Sequence, residues 1–320
     1  MPAPKCSEED FIALFKAHGP EQTARILGVA TRNVLGRRKA IEIRDGIRIL
    51  APQDHANTDI GHTRRANVTY SPRLTLDLRE GIAIVGSDAH YWPDEITPAH
   101  RALLYLCREL QPKATILNGD IFDLPRAAKH SPIGWNKTPK VEEERQAVEE
   151  RTTEIEDASK KAQHLWLMGN HDLRFENRLA LQVPEMEGTP GFCLKDHFPR
   201  WDMGMSLWIN DRVVVKHRFK GGLHATHNNT LWAGKTMVTG HLHSLKVTPL
   251  SDYNGIRYGV DTGTLSNPYG DHAAYGEDNP LNHRSGFIVL TFHKGELLWP
   301  EIAAVVDETH FQFRGKVYSV

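Results

Sequence analysis

The chain has 320 residues, a formal net charge of −1, and 40% hydrophobic and 25% charged residues. That balance excludes a disordered or collagen-like chain, and the near-neutral charge excludes a global field toward nucleic acid or membrane, so any such affinity must come from a local patch. No apolar stretch approaches the roughly 20 residues of a membrane span; the start, Met1-Pro2-Ala3-Pro4-Lys5, predicts no secretory signal, and the isolated Cys6, Cys107 and Cys193 fit reduced thiols in a cytoplasm.

Residues 1–49 read as a small all-α, helix-turn-helix-like domain. Phe11, Ile12, Leu14 and Phe15 give helical spacing over Glu8 to His18, stopped by Gly19-Pro20. A second helix covers Glu21 to Leu27, Gly28-Val29 makes a tight turn, and Thr31 is expected to cap a third helix reaching about Ile43. That third helix carries Arg32, Arg37, Arg38 and Lys39 without an acid before Glu42, a plausible surface for a DNA groove. The alternative is a helical bundle used for packing or oligomerisation. Residues 50–71 are polar and read as a linker, with His55 and His62 solvated.

Residues 72–320 read as the second domain. Apolar runs at Ile82–Gly86, Ala114–Leu117 and His164–Met168 predict strands. Between them lie an amphipathic helix at Pro98–Leu110 and a charged helix at Val141–Gln163. This alternation implies parallel strands with right-handed crossovers and a site at their carboxyl ends. Later strands are expected at Ser206–Ile209, Arg212–Lys216, Met237–Thr239, Ile256–Val260, Phe287–Phe292 and Leu297–Ala304, with little helix between them, so a second, largely antiparallel sheet is expected. The fold class is mixed α/β.

Chemistry concentrates at the ends of these runs. Asp88-Ala89-His90, Gly119-Asp120-Ile121-Phe122-Asp123, Gly169-Asn170-His171-Asp172, His217 and Gly240-His241-Leu242-His243 supply a candidate ligand set of two Asp (Asp88, Asp120), Asn170 and four His (His90, His217, His241, His243) without a thiolate. Such a set suits two borderline divalent ions, Mn²⁺ first, with Fe, Zn or Co as further candidates. The x in Asp-x-His and in His241-x-His243 puts both side chains on one side of an extended segment. Asp120 can bridge two ions, which clamp a hydroxide and the oxygens of a phosphoryl group. His171, next to Asn170, can instead face the substrate as general acid, oriented by Asp123. Asp172 is expected to support its loop. His217 is chosen over His224 and His227 because it ends the run Val213-Val214-Val215.

Taken in order, these five motifs resemble the calcineurin-like metallophosphoesterases over about residues 80–265, and their combination with the helix-turn-helix-like arm resembles members of the phage and mobile-element type. The resemblance implies a four-layer αββα sandwich. It implies Asp88, His90, Asp120 and His243 on one metal, Asp120, Asn170, His217 and His241 on the other, and His171 as acid with Asp123 as its partner. One departure is that His217 is followed by Arg218 where members of the family often carry Gly.

The expected function is hydrolysis of a phosphoester, foremost a DNA phosphodiester. Arg174 and Arg178 lie four apart on a predicted helix beside the metals, placed to neutralise phosphates. The segment from Pro125 to Lys140 adds Arg126, Lys129, His130, Lys137 and Trp135, a basic lid with one aromatic able to stack a base. Alternatives are a phosphoesterase for small nucleotides or phosphoproteins, and a DNA-binding regulator with a non-catalytic sandwich. The complete ligand set argues against the last.

Overall fold

A computed structural model describes residues 6–45, 49, 51, 69–128, 137–270 and 281–320. Two compact units divide it, Met1–Val68 and Thr69–Val320. The expected linker lies largely outside the described residues, with His55 and His62. Its end does not: Tyr70 is buried, its hydroxyl bonded to Glu176, and Ser71 bridges to Gly204. The aromatic at the end of a polar stretch therefore belongs to the second unit's core.

In the first unit, α1 (Glu8–Leu27) is two helical pieces joined at Gly19, whose φ of 72° and ψ of 178° break the helix before Pro20. Gly28, at φ 60°, ends it in the left-handed conformation with its N–H on the Arg25 carbonyl. The next helix, α2 (Thr31–Asp45), begins at Thr31 itself and is not capped by it. Phe11, Phe15, Ala24, Val34 and Ile41 form the core.

The second unit contains β1 (Leu74–Leu76), β2 (Gly81–Gly86), α3 (Pro98–Leu110), β3 (Ala114–Leu117), α4 (Val141–Ala158), β4 (Gln163–Leu167), α5 (Arg174–Gln182), α6 (Leu194–His197), β5 (Asp202–Gly204), β6 (Leu207–Ile209), β7 (Val213–Val215), α7 (Ala225–Ala233) and β8 (Thr236–Thr239). There follow β9 (Lys246–Asp252), β10 (Gly255–Asp261), β11 (Gly286–His293), β12 (Glu296–Leu297), β13 (Glu301–Asp307), β14 (His310–Phe313) and β15 (Lys316–Ser319). One sheet runs β15-β14-β13-β11-β2-β3-β4-β5 with β12 on β11; the other runs β1-β6-β7-β8-β10-β9.

Strands β2 to β5 are parallel, as the alternating pattern predicts. The second sheet is mixed, not largely antiparallel. The β7-α7-β8 unit makes a parallel pair, and the β9–β10 hairpin returns β10 parallel to β8. Nor do the last strands belong to that sheet: β11 pairs antiparallel with β2. Its Phe287 and Val289 enter one core while Ile288 and Leu290 enter the other. A continuous apolar run of this kind suits a central strand covered on both faces. The helix expected to reach Gln163 stops at Ala158, where the Ser159 hydroxyl bonds the Ile155 carbonyl at 2.7 Å.

Four layers result. Leu103, Leu106 and Cys107 of α3 and Val148 and Ile155 of α4 pack on the outer face of the larger sheet. Ala83, Val85, Ile116, Leu165 and Leu167 meet Leu207, Val215, Val238 and Val260 between the sheets. α7 lies on β8, β9 and β10. Burial of this double core holds the ends of β2, β3, β4, β7 and β8 in one place. Among the described residues no helix is long and apolar enough to cross a membrane, and Cys6, Cys107 and Cys193 are free thiols.

Candidate active site

Every expected ligand segment lies just beyond the carboxyl end of a strand: Asp88 and His90 after β2, Asp120 after β3, Asn170 after β4, His217 after β7, His241 and His243 after β8. Two clusters form. Asp88, His90 and His243 bring their donor atoms within 4.8 Å of one another, and Asp120, His217 and His241 do the same. A third grouping, His90, Asp123 and His171, adjoins them.

The backbone turns sharply to achieve this. Asp88, His90, Asp120, His241 and His243 all have positive φ, between 42° and 71°. Left-handed non-glycine residues are strained, and that strain persists only where the surroundings enforce it. Two glycines of the motifs are explained by close approach. Gly119, at φ 83°, has the His217 ring where a Cβ would lie, 2.6 Å away. At Gly169 a Cβ would run into the backbone nitrogen and carboxylate of Asp120.

Asp88 is fully buried. Its Oδ1 lies 3.0 Å from His243 Nε2, and its Oδ2 accepts from the His241 backbone N–H at 2.9 Å and from the Ser87 hydroxyl. Burial alone would raise this carboxyl, but His243 and His217 overcome it and hold it down to about 2. Asp120 is likewise depressed: burial opposes ionisation and His217 outweighs it. His217 donates from Nδ1 to the Asn118 carbonyl at 2.8 Å. This turns Nε2 to face Asp120 Oδ2, 3.0 Å away. Burial lowers the His217 imidazolium, yet Asp88 and Asp120 raise it to about 9.

These residues fit a pair of divalent ions on two grounds. The donors are carboxylate, amide oxygen and imidazole, the set that borderline ions take. One buried acceptor within the set, Asn170 Oδ1, also lacks a hydrogen-bond partner, whereas buried polar atoms are nearly always paired.

His171 stands beside the clusters, its backbone N–H on Asp120 Oδ1 at 2.7 Å. Its Nδ1 donates to Asp123, 2.9 Å from Oδ1 and 3.0 Å from the carbonyl. Arg174 Nη1 donates to that same carbonyl at 2.7 Å, and its Nη2 lies 3.0 Å from His171 Nε2. Asp172 is buried, and its carboxylate accepts from the backbone N–H groups of Asp120, Ile121, Phe122 and Gly169 and from the Trp166 indole, all between 2.9 and 3.2 Å.

Some expected residues lie elsewhere. His224 and His227 are exposed on and beside α7, outside the clusters. Arg126 is bonded to the Thr138 carbonyl at 2.7 Å, Lys140 pairs with Glu143, and Lys137 is exposed; Lys129, His130 and Trp135 fall outside the described residues. In the first unit the Arg37 guanidinium covers the Phe11 ring at 4.5 Å and donates to the Cys6 and Ser7 carbonyls. Arg38 covers Phe15 and pairs with Glu42. Arg32 and Lys39 are exposed.

The sequence reading missed several residues. Glu144 of α4 is buried and accepts from the backbone N–H of Asp123 at 2.5 Å and of Leu124 at 2.7 Å. The Trp92 indole donates to Asp123 Oδ2 at 3.3 Å. The His283 ring lies 4.5 Å from that of His243. Glu144 is one acid among several on a charged helix, and His283 ends no apolar run, so neither carried a signal.

No family model and no curated protein matches the sequence. Among solved structures, the phosphoesterase YfcE from E. coli is similar at 15% identity, covering 75% of this chain and 99% of its own, with a TM-score of 0.33. A dimetal phosphatase from Danio rerio is similar at 10% identity over 76% of this chain and 99% of its own, TM-score 0.35. The nuclease MPE from Pseudomonas putida is similar at 14% identity over 68% of this chain and 86% of its own, TM-score 0.31. In this chain the five motifs lie, in order, at strand ends of a four-layer sandwich.

Proposed function

We propose that the second unit is a dinuclear-metal phosphoesterase and that its substrate is a phosphodiester of DNA. The observation that carries this reading is the two ligand clusters, Asp88-His90-His243 and Asp120-His217-His241, with the Asp123–His171 pair alongside. Asp88, His90, Asp120 and His243 would hold one ion and Asp120, Asn170, His217 and His241 the other, with Mn²⁺ the expected occupant of both. When bound, two such ions lower the pKa of a water nucleophile and neutralise charge on the phosphoryl oxygens.

The chain's own residues do the rest. Asp123 fixes the Nδ1–H tautomer of His171 and so aims Nε2 at the substrate side. Burial disfavours the imidazolium, but Asp123 and Asp120 raise its pKa, so once substrate displaces Arg174 from Nε2 the ring takes up a solvent proton there and passes it to the departing oxygen. Arg174 places a fixed positive charge on the same edge. Asp172 holds the loops of Asp120 and Asn170 in register, as a positioning residue.

The DNA reading draws on the first unit, residues 1–49, whose α2 offers Arg32 and Lys39. Mn²⁺-dependent hydrolysis of end-labelled single- and double-stranded DNA, with His171→Ala as the blank, is the test. Cleavage that vanishes in the variant supports the proposal. Cleavage of a small chromogenic diester alone would move the substrate to nucleotides. Deleting residues 1–48 should reduce activity on long DNA and spare the small diester.

A further inference from the structure

A cavity of about 410 Å³ opens beside the clusters, lined by Asn170, Arg174, Asn177, Arg178, Leu181 and Arg218 among others. Its volume is that of a small-ligand pocket, and its wall is shared with the catalytic centre through Asn170. Three guanidinium groups line it and no carboxylate does.

The three arginines are not equivalent. Arg174 is committed to His171 and to the Asp123 carbonyl. Arg178 and Arg218 are exposed and take part in no ion pair among the described residues. Glu176, the acid nearest Arg178 in sequence, faces elsewhere: its carboxylate holds the Tyr70 hydroxyl and the Leu194 N–H. Arg218 follows His217 directly and shares the pocket wall with Asn170. Between Asp211 and Asp252 the sequence contains no acidic residue at all, so the loop bearing Arg218 brings no counter-charge of its own. Like charges gathered without a counter-ion disfavour one another, and a bound anion relieves that.

What adjoins Arg218 is aromatic. Phe219 is 44% exposed and Trp232 is 70% exposed. The Lys216 ammonium lies 5.2 Å from the Phe219 ring centre and that of Lys220 lies 3.2 Å from the Trp232 ring centre. Cations interleaved with exposed rings are the composition of a single-strand track, in which bases stack and phosphates pair.

We infer that the Arg178–Arg218 pocket binds the phosphate neighbouring the scissile one in a polynucleotide strand, with Phe219 and Trp232 beyond it as stacking faces. This rests on the phosphoesterase reading above. It restricts that reading: a substrate with one phosphate fills the metal centre and leaves the pocket without a ligand, whereas a strand fills both.

The test compares wild type with Arg178→Ala, Arg218→Ala and Arg218→Lys, all loaded with Mn²⁺. Three substrates are used: bis(4-nitrophenyl) phosphate, a short oligothymidylate and a dinucleoside pyrophosphate. The expected result is a KM for the oligothymidylate that rises about tenfold more than the KM for the small diester in each alanine variant, with kcat little changed and partial rescue by lysine; one tenfold step corresponds to about 1.4 kcal/mol. The double alanine variant should also reduce the slope of log affinity against log salt for the oligothymidylate by about 0.7, the loss of one strand phosphate contact. Equal losses on both substrates, or none on either, would overturn the subsite. A preferential loss on the pyrophosphate would overturn the strand and assign the pocket to a diphosphate. Wild type inert toward all three substrates, with metal bound, would overturn the phosphoesterase reading itself.

Discussion

Arg174 Nη2 lies 3.0 Å from His171 Nε2. A guanidinium can only donate, so that ring nitrogen presents a lone pair and the ring's hydrogen sits on Nδ1, facing Asp123. The outer edge of His171 is thus occupied by a cation until substrate displaces Arg174 and Nε2 takes up the proton that it gives to the leaving oxygen. His171→Ala is expected to lower turnover by about 10²–10⁴-fold, least for esters with good leaving groups, while two metals remain bound. Elemental analysis alongside kcat checks this; loss of metal in the variant would show His171 to be a ligand.

Asn170→Ala and His241→Ala should behave oppositely. Each removes a donor from the cluster around Asp120, so turnover and metal content should fall together, to about one ion per chain or fewer. Stoichiometry unchanged in both variants would refute the assignment of the second ion.

Asp172→Ala leaves four backbone N–H groups and the Trp166 indole without their acceptor. Burying donors unpaired costs about 1–3 kcal/mol each where water cannot replace the acceptor, so a loss of several kcal/mol is expected. Denaturant unfolding should show a lower midpoint with an unchanged slope.

Two glycines make a contrast. At Gly169 an added methyl collides with Asp120, so Gly169→Ala should cost metal binding at both clusters. At Gly36, inside α2, nothing lies within 4 Å of the new carbon, and Gly36→Ala should stabilise by about 0.5–1 kcal/mol through helix propensity. Thermal unfolding of the two variants should move in opposite directions.

Burial pushes the Glu144 carboxyl from the usual 4.5 up to about 8, against its backbone hydrogen bonds from Leu124 and Asp123. A raised folded pKa means that the folded state holds the extra proton between those two values. The stabilisation is full below about pH 4.5 and is lost as pH rises through about 8. Glu144→Gln keeps an acceptor for both N–H groups and has no proton to lose. Its Tm should therefore vary less between pH 5 and pH 8, with a difference from wild type on the order of 5 °C across that range. Parallel Tm curves would show Glu144 to be ionised in the folded protein.

Much of this candidate site was legible in the sequence because the expected ligands are marked by position. Asp88, Asp120 and Asn170 each follow a run of apolar residues, and a strand end needs little more than that run and a following turn. The α3 helix and β3 were legible to the residue for the same reason, a clean apolar period between strong stops. The second sheet's direction was not, because strand spacing does not reveal that β8 pairs with β10 across the intervening hairpin. Nor could spacing reveal that Phe287–Phe292 crosses back to lie beside β2. Glu144 and Arg218 escaped because their roles depend on what lies opposite in space.

Asp172 has a consequence for the order of events in this protein's life. One carboxylate laces the loop of Asp120 to the loop of Asn170. These bonds belong to the fold itself, so the two loops come to ion capture already tied to each other, with less ordering left to oppose it. Chelation should then empty the protein without loosening it, and reloading should run at the pace of ion diffusion and dehydration, with activity tracking the ambient ion supply from moment to moment.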